Sequence, residues 1–383
     1  MTAAAPEPAL VEHDGWRVRF ATKADNQALC DLFRAVHVPG ALDIAQERDP
    51  DYFALLDLHA GAHDTAVGVA DDGRLVASGT IVTRPGWFGD EPITTGYLCD
   101  LRVAEGFREG KMVVRAYGKV MDEVRERRGA EIFTTVIFDS NERAKRALTG
   151  GGQGRRKDQP IYRPMTPFEM VSVQLTRPKR APSARVRAAT DRDADALFGF
   201  LAERERRRLL GWRVDPDGIA ARLAAWPGCS LEDFFIAREG GRIVGCLAPW
   251  DTRAVKRTRV LGYHQHMRWV KLLFNAGATL GRFQKLPPAG DCFDFSFLTH
   301  LEIVDDDPAV LHDLLLAAYP GLRARGQHFM SAFVPRGSRL AEAFGGFSIQ
   351  KTAMTLYAVH PQDSRFAKRD VKTLWPGFEM ALS

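Results

Sequence analysis

Cysteine is scarce in this chain of 383 residues. Cys30, Cys99, Cys229, Cys246 and Cys292 are scattered, odd in number and nowhere spaced CxxC. A disulfide framework or a zinc ribbon needs close, paired spacing, so reduced and buried thiols are expected, with no metal site. Long hydrophobic runs are missing too. Nothing approaches the roughly 20 residues a helix needs to cross a bilayer, so no membrane span is expected. Residues 1–14 lack a basic segment followed by an apolar core, and they read as a loose tail rather than an export signal. Charge of one sign is also missing, since the net charge is only +5 and the pI about 9.0. That balance suits anionic ligands without requiring nucleic acid, and the unpaired cysteines fit a cytoplasmic protein. What is plentiful is apolar residues, at 45% of the chain, enough for two domains with cores.

The chain repeats itself. WRVRFATKADNQAL (16–29) aligns without a gap on ARVRAATDRDADAL (184–197). DDGRLVAS (71–78) meets EGGRIVGC (239–246) at the same offset. A fixed offset over two separate blocks argues for duplication. Each copy opens with a strand, an Asp-bearing helix start and an amphipathic helix. A hairpin follows, turning at Asp72-Gly73 or Gly240-Gly241. The predicted division is a tail at 1–14, a first domain at 15–176, a linker at 177–183, a second domain at 184–360 and an irregular tail at 361–383. The linker RPKRAPS carries two prolines and three basic residues. The first domain is expected to close with a strand pair over 161–176, broken by Pro164 and Pro167.

The most informative stretch runs from Thr94 to Leu148. An alternating strand ends at Val103 and a short polar segment with Gly106 and Gly110 follows. From Lys111 the residues Val113, Ala116, Tyr117, Val120 and Val124 recur at helical spacing. A strand, a glycine-bearing turn and a helix start leave unpaired backbone N–H groups, a seat for phosphate or pyrophosphate. This stretch resembles the acyl-CoA-binding core of the GNAT acyltransferases. Leu101 and Val103 match the strand end, Arg108, Glu109, Gly110, Lys111, Met112 and Val113 the phosphate loop, and Asn141 with Ala144 the later N-x-x-A motif. The resemblance implies a mixed α/β fold in tandem, with acetyl-CoA or another acyl-CoA held by the first domain and a small-molecule or peptide amine as acceptor. The position that often supplies a tyrosine in that family is Leu148 here.

In the second copy the strand over 293–304 runs into DDDPAV, where three carboxylates would repel a pyrophosphate. The fold is expected to persist there without its cofactor site. That copy also carries roughly thirty extra residues at 252–290, basic, aromatic and free of acids. Three readings stay open: a grip on nucleic acid, a membrane or acidic-carrier surface, and a cover helix packing Trp269, Leu272, Leu273 and Phe274 onto the sheet. His264 and His266 would share a strand face, but no third ligand is in view.

Acyl transfer needs a positioned thioester, a base, and a donor to the carbonyl oxygen. Backbone N–H near Leu101 could be that donor, as the resemblance implies. Asp100 is the candidate base, weighed against a structural role. Asp139 reads as a turn acceptor or helix cap, Tyr97 and Tyr117 as core aromatics, and Cys99 has no histidine to activate it. Two classes therefore compete: an N-acyltransferase and a non-catalytic ligand-binding or interaction scaffold.

Overall fold

The computed structural model describes residues 8–13, 15–37, 40–107, 112–149 and 159–383, with the main chain alone at 112–115. The first half runs through strand β1 (Val11–His13), β2 (Trp16–Phe20), helix α1 (Asn26–Ala35), β3 (Leu42–Glu47) and the single turn α2 (Ala54–Asp57). It continues with β4 (Ala62–Ala70), β5 (Leu75–Phe88), β6 (Glu91–Val103), α3 (Met112–Arg128), β7 (Ala130–Phe138), α4 (Glu142–Thr149) and β8 (Ile161–Gln174). The second half has β9 (Val186–Ala188), α5 (Ala194–Arg207), α6 (Pro216–Ala225), β10 (Phe235–Glu239) and β11 (Arg242–Trp250). Then come β12 (Arg257–Tyr263), α7 (His266–Gly281), β13 (Phe295–Ile303), α8 (Pro308–Ala324), β14 (Phe329–Pro335) and β15 (Ile349–His360).

The sequence repeat has a physical counterpart. Arg19 donates twice to Asp25, at 2.8 and 2.7 Å, and Asp25 accepts from the Thr22 amide at 2.7 Å, which squares off the start of α1. Arg187, Asp193 and Thr190 build the same clamp before α5. The Arg19 guanidinium holds the Asp25 carboxyl below its ordinary pKa, and Arg187 does the same for Asp193.

Thirteen strands form one sheet, in the order β1-β2-β4-β5-β6-β7-β15-β8-β14-β13-β11-β10-β9. Both halves thus run in the same strand order, except that each last strand lies in the other half. β15 pairs antiparallel with β7 of the first half, β8 pairs antiparallel with β14 of the second, and β15 and β8 pair with each other at the centre. The repeat boundary at 177–183 is therefore a boundary in sequence, while three strand pairings of the sheet cross it. β3 and β12 make a separate two-stranded ribbon that ties the insertion to the first half, with Arg259 on Glu47 at 2.9 Å.

Several expectations are corrected. Residues 161–174 form one strand, because the register slips by a residue opposite Leu356 and so accommodates Pro164. Val11–His13, expected within a loose tail, pair with β2. His264 and His266 do not share a strand. The first meets Asp43 at 2.8 Å and the second opens α7. The irregular segment after 360 is packed rather than loose. Phe366, Val371, Met380, Ala381 and Leu382 join Phe168, Trp250 and Leu55 in a core that spans both halves. Their apolar side chains bury area that loop conformation alone would leave exposed. The helix in the insertion is not a cover, since Trp269, Leu272 and Leu273 face outward.

Candidate active site

β6 and β7 run parallel and stay paired only from Thr94 to Tyr97, opposite Ala130 to Thr134. There they part. The Thr134 and Thr135 hydroxyls donate to the carbonyls of Gly96 and Leu98, at 3.4 and 2.9 Å, and close the apex of the V. Gly96 is required here, because a Cβ would lie 2.2 Å from the Phe133 ring. Farther out, Leu101 and Phe138 are exposed on the two arms. Asp100 interrupts β6 as a bulge at φ +57°, which re-aims the strand beside the cleft. His300 occupies the matching bulge in β13 at φ +50°, where β13 and β14 also part after three residue pairs.

The site residues expected from sequence fall in three groups. Arg108, Glu109, Gly110 and Lys111 lie outside the described residues, and Met112 and Val113 are described by main chain only. Leu101 and Val103 line the end of β6. Asn141 caps α4, accepting from the Ala144 amide at 3.0 Å. Asp100 is almost fully buried. Its Oδ1 accepts from Arg48 Nη2 at 2.9 Å and its Oδ2 from Tyr52 at 3.4 Å, so both oxygens are committed beneath the sheet. Asp139 accepts from Thr355 at 2.8 Å and from Arg336. Burial works to raise its pKa and those bonds more than cancel it. Burial pushes the Cys99 thiol well up, which keeps it protonated.

Behind the apex, narrow cavities join the two halves. One is walled by His59, Thr95, Tyr97 and Thr134 of the first half with Phe378 and Leu382 of the last segment. The other, shared with Arg84 and Arg222, runs on to Glu205, Arg208, His300 and Glu302. His59 donates Nε2–H to the Leu382 carbonyl at 3.0 Å, which leaves the lone pair on Nδ1, and burial holds the ring neutral. It stacks on Tyr97 at 5.9 Å. Lys256 enters from the insertion, 4% exposed, and donates to the main-chain oxygens of Ala381 (3.2 Å) and Ser383. Burial, with Arg48 nearby, lowers its pKa to about 7. Arg222 is 9% exposed and sits between Trp212 and Trp226, 4.7 and 5.0 Å from the ring centres. Its Nε has no hydrogen-bond partner among the described residues, and desolvation, then Arg84, lowers its pKa to about 10.

Among solved structures, the chain superposes on Saccharomyces cerevisiae N-myristoyltransferase with bound myristoyl-CoA. The TM-score is 0.61 at 10% identity, over 96% of this chain and 90% of that one. It also superposes on a GCN5-related N-acetyltransferase from Sphaerobacter thermophilus, with a TM-score of 0.53 at 15% identity over 97% and 100% of the two chains. This chain carries the GNAT fold in tandem. No protein-family model and no curated protein matches its sequence.

The parted β6 and β7 leave a cleft with exposed apolar side chains at Leu101 and Phe138. The cleft leads inward to the apex, where Tyr97 and His59 stand. These two, with Arg84, Arg222 and Lys256, are the groups that sequence reasoning missed. Tyr97 read as a core aromatic and does pack against a core cluster, while the other four drew no reading from the sequence. One signal existed for Lys256: it lies in the acid-free insertion, which was already singled out.

Proposed function

We propose that the protein is an acyl-CoA-dependent N-acyltransferase, with the donor held by the first half and the acceptor amine entering between the halves. The observation that carries this reading is the parting of β6 and β7 beside the Asp100 bulge, with a polar cavity directly behind the apex. The donor's pyrophosphate would rest on the 108–113 stretch and its chain between Leu101 and Phe138. Space behind the apex is narrow, being filled by Phe133, Phe378 and Leu382, which favours acetyl over a long acyl group. A cytoplasmic location, where acyl-CoA is available, fits this reading.

The amine nitrogen attacks the thioester carbon, the C–S bond breaks, and the thiolate leaves with the sulfur electron pair. His59 Nδ1, whose lone pair the Leu382 bond leaves free, is the proposed acceptor of the amine proton, against the burial and the Arg222 and Arg84 charges that lower its pKa. Tyr97, whose phenol burial keeps protonated, can donate toward the thiolate. Asp100 shapes the bulge and fixes Arg48 behind it. Arg222 and Arg84 suit an acceptor that carries a carboxylate, such as an amino acid or a peptide end.

Thermal unfolding with CoA or acetyl-CoA tests the donor site. A ligand at a hundred times its dissociation constant stabilises the fold by about 2.7 kcal/mol. Gly110→Asp should abolish that shift, since it sets bulk and negative charge against the phosphates. Release of free thiol from acetyl-CoA with a panel of amino acids and peptides tests the transfer. The scaffold reading draws support from the commitment of Asp100 to Arg48. CoA binding without turnover of any amine would select it.

A further inference from the structure

Among the described residues no helix is long and apolar enough to cross a membrane. One is nevertheless turned inside out. α7 has its single fully buried residue at Ala278, and its inner side is firmly held. Asn275 Oδ1 accepts from the Leu286 amide at 2.8 Å, Arg268 donates to the Tyr263 carbonyl at 3.1 Å, and Lys271 lies 4.3 Å from the centre of the Tyr263 ring. The outer side is the apolar one. Trp269, Leu273, Ala276 and Leu280 fall on one face by helical spacing, with Leu272 beside them. The exposures are 70% for Trp269, 59% for Leu272, 71% for Leu273 and 88% for Leu280. Apolar side chains this exposed on one well-anchored helix mark an interaction surface.

We propose that α7 docks the protein on the surface of a bilayer that carries anionic lipids. Charge selects this occupant. Positions 252–290 contain no acid, and the apolar stripe runs into the exposed bases Arg282 and Lys285. An in-plane helix of this kind sinks its apolar face to the acyl boundary while flanking bases meet the headgroups. Aromatic and leucine side chains suit that depth. A second copy of the chain fits less well. The face is roughly 24 Å long and 10 Å wide, against the 1,200–2,000 Å² buried in total by stable protein contacts. Apposed copies would also bring their basic flanks together. β12 runs between the buried Lys256, just before its start, and α7, which opens at His266 about 20 Å away by strand rise. The inference does not depend on the acyltransferase reading.

Co-sedimentation with vesicles decides the matter. The full chain is mixed with phosphatidylglycerol/phosphatidylcholine vesicles and, separately, with phosphatidylcholine alone. The expected result is at least tenfold stronger partitioning onto the anionic vesicles. Trp269→Glu with Leu273→Glu should weaken it at least tenfold, and Arg282→Glu with Lys285→Glu should remove the preference for anionic lipid. Both pairs lie on the exposed side, so circular dichroism and the melting temperature should not move. Wild-type protein left in the supernatant with both vesicle types overturns the proposal, as does undiminished binding of the Trp269/Leu273 variant. A lipid-free dimer that this variant dissolves also overturns it, and assigns the face to self-association.

Discussion

Asp100→Asn strips a charge and changes almost nothing else. Asn tolerates the left-handed conformation that the bulge requires and keeps nearly the same shape. What it leaves behind is Arg48, whose side chain is 1% exposed. Arg48 Nε and Nη1 have no partner, so the Nη2 bond to Asp100 is the one hydrogen bond its guanidinium makes among the described residues. Removing one member of a buried pair costs about 3–5 kcal/mol, because the other charge stays desolvated. Asn can still accept from Nη2, so the loss expected is about 3 kcal/mol, at the low end of that range. Urea unfolding followed by tryptophan fluorescence would read it as a fall in midpoint at unchanged slope. Arg48→Met added to Asp100→Asn removes the stranded charge and should recover most of the loss. A single-variant cost below about 1 kcal/mol, or a double variant less stable than the single, would refute this account of the pair. The same protein settles the role of Asp100 in transfer, since turnover retained in the folded Asn variant excludes it as the base.

Lys256→Met should stabilise the protein near neutrality. The folded chain keeps this amine neutral down to about pH 7, whereas the unfolded chain protonates it near 10.5. Unfolding therefore takes up a proton between those values, so the lysine's penalty grows as pH falls through that window and is complete below 7. It amounts to roughly 4–5 kcal/mol at most. The stability difference between variant and wild type, followed from pH 7 to 10, should shrink steadily, and a flat difference would contradict the burial argument. Gly96→Ala drives a methyl into the Phe133 ring and should cost about 1–3 kcal/mol by overpacking, measured by thermal melting. Arg222→Leu should raise KM for carboxylate-bearing acceptors at least tenfold while leaving the CoA-induced melting shift in place. Equal loss with neutral amines would place Arg222 outside acceptor recognition.

Duplication was legible because it left identical residues at a fixed offset, and the clamps of Arg19 with Asp25 and of Arg187 with Asp193 show why those residues recur. The central strand and helix were legible through their periods of two and 3.6. The strand exchange was not, since β8 and β15 have the same alternating character and no local pattern names a partner across 180 residues. Arg48 and Lys256 escaped notice because an isolated charged residue is usually solvated, and only the tertiary fold shows it buried. α7 misled for the opposite reason. Its apolar stripe was real, but periodicity says that one face differs from the other, not which face meets protein.

The exchanged strands also bear on how the chain is made. β7 forms early in synthesis, yet its neighbour β15 ends at His360, more than 200 residues downstream. At 5–20 residues per second the ribosome takes roughly 10–40 s to deliver it. For that interval the first half presents an unpaired edge, the kind of surface that recruits strands from other nascent chains. Neither half can therefore finish before the other, and the chain commits to its final form only when the last strand threads between β7 and β8.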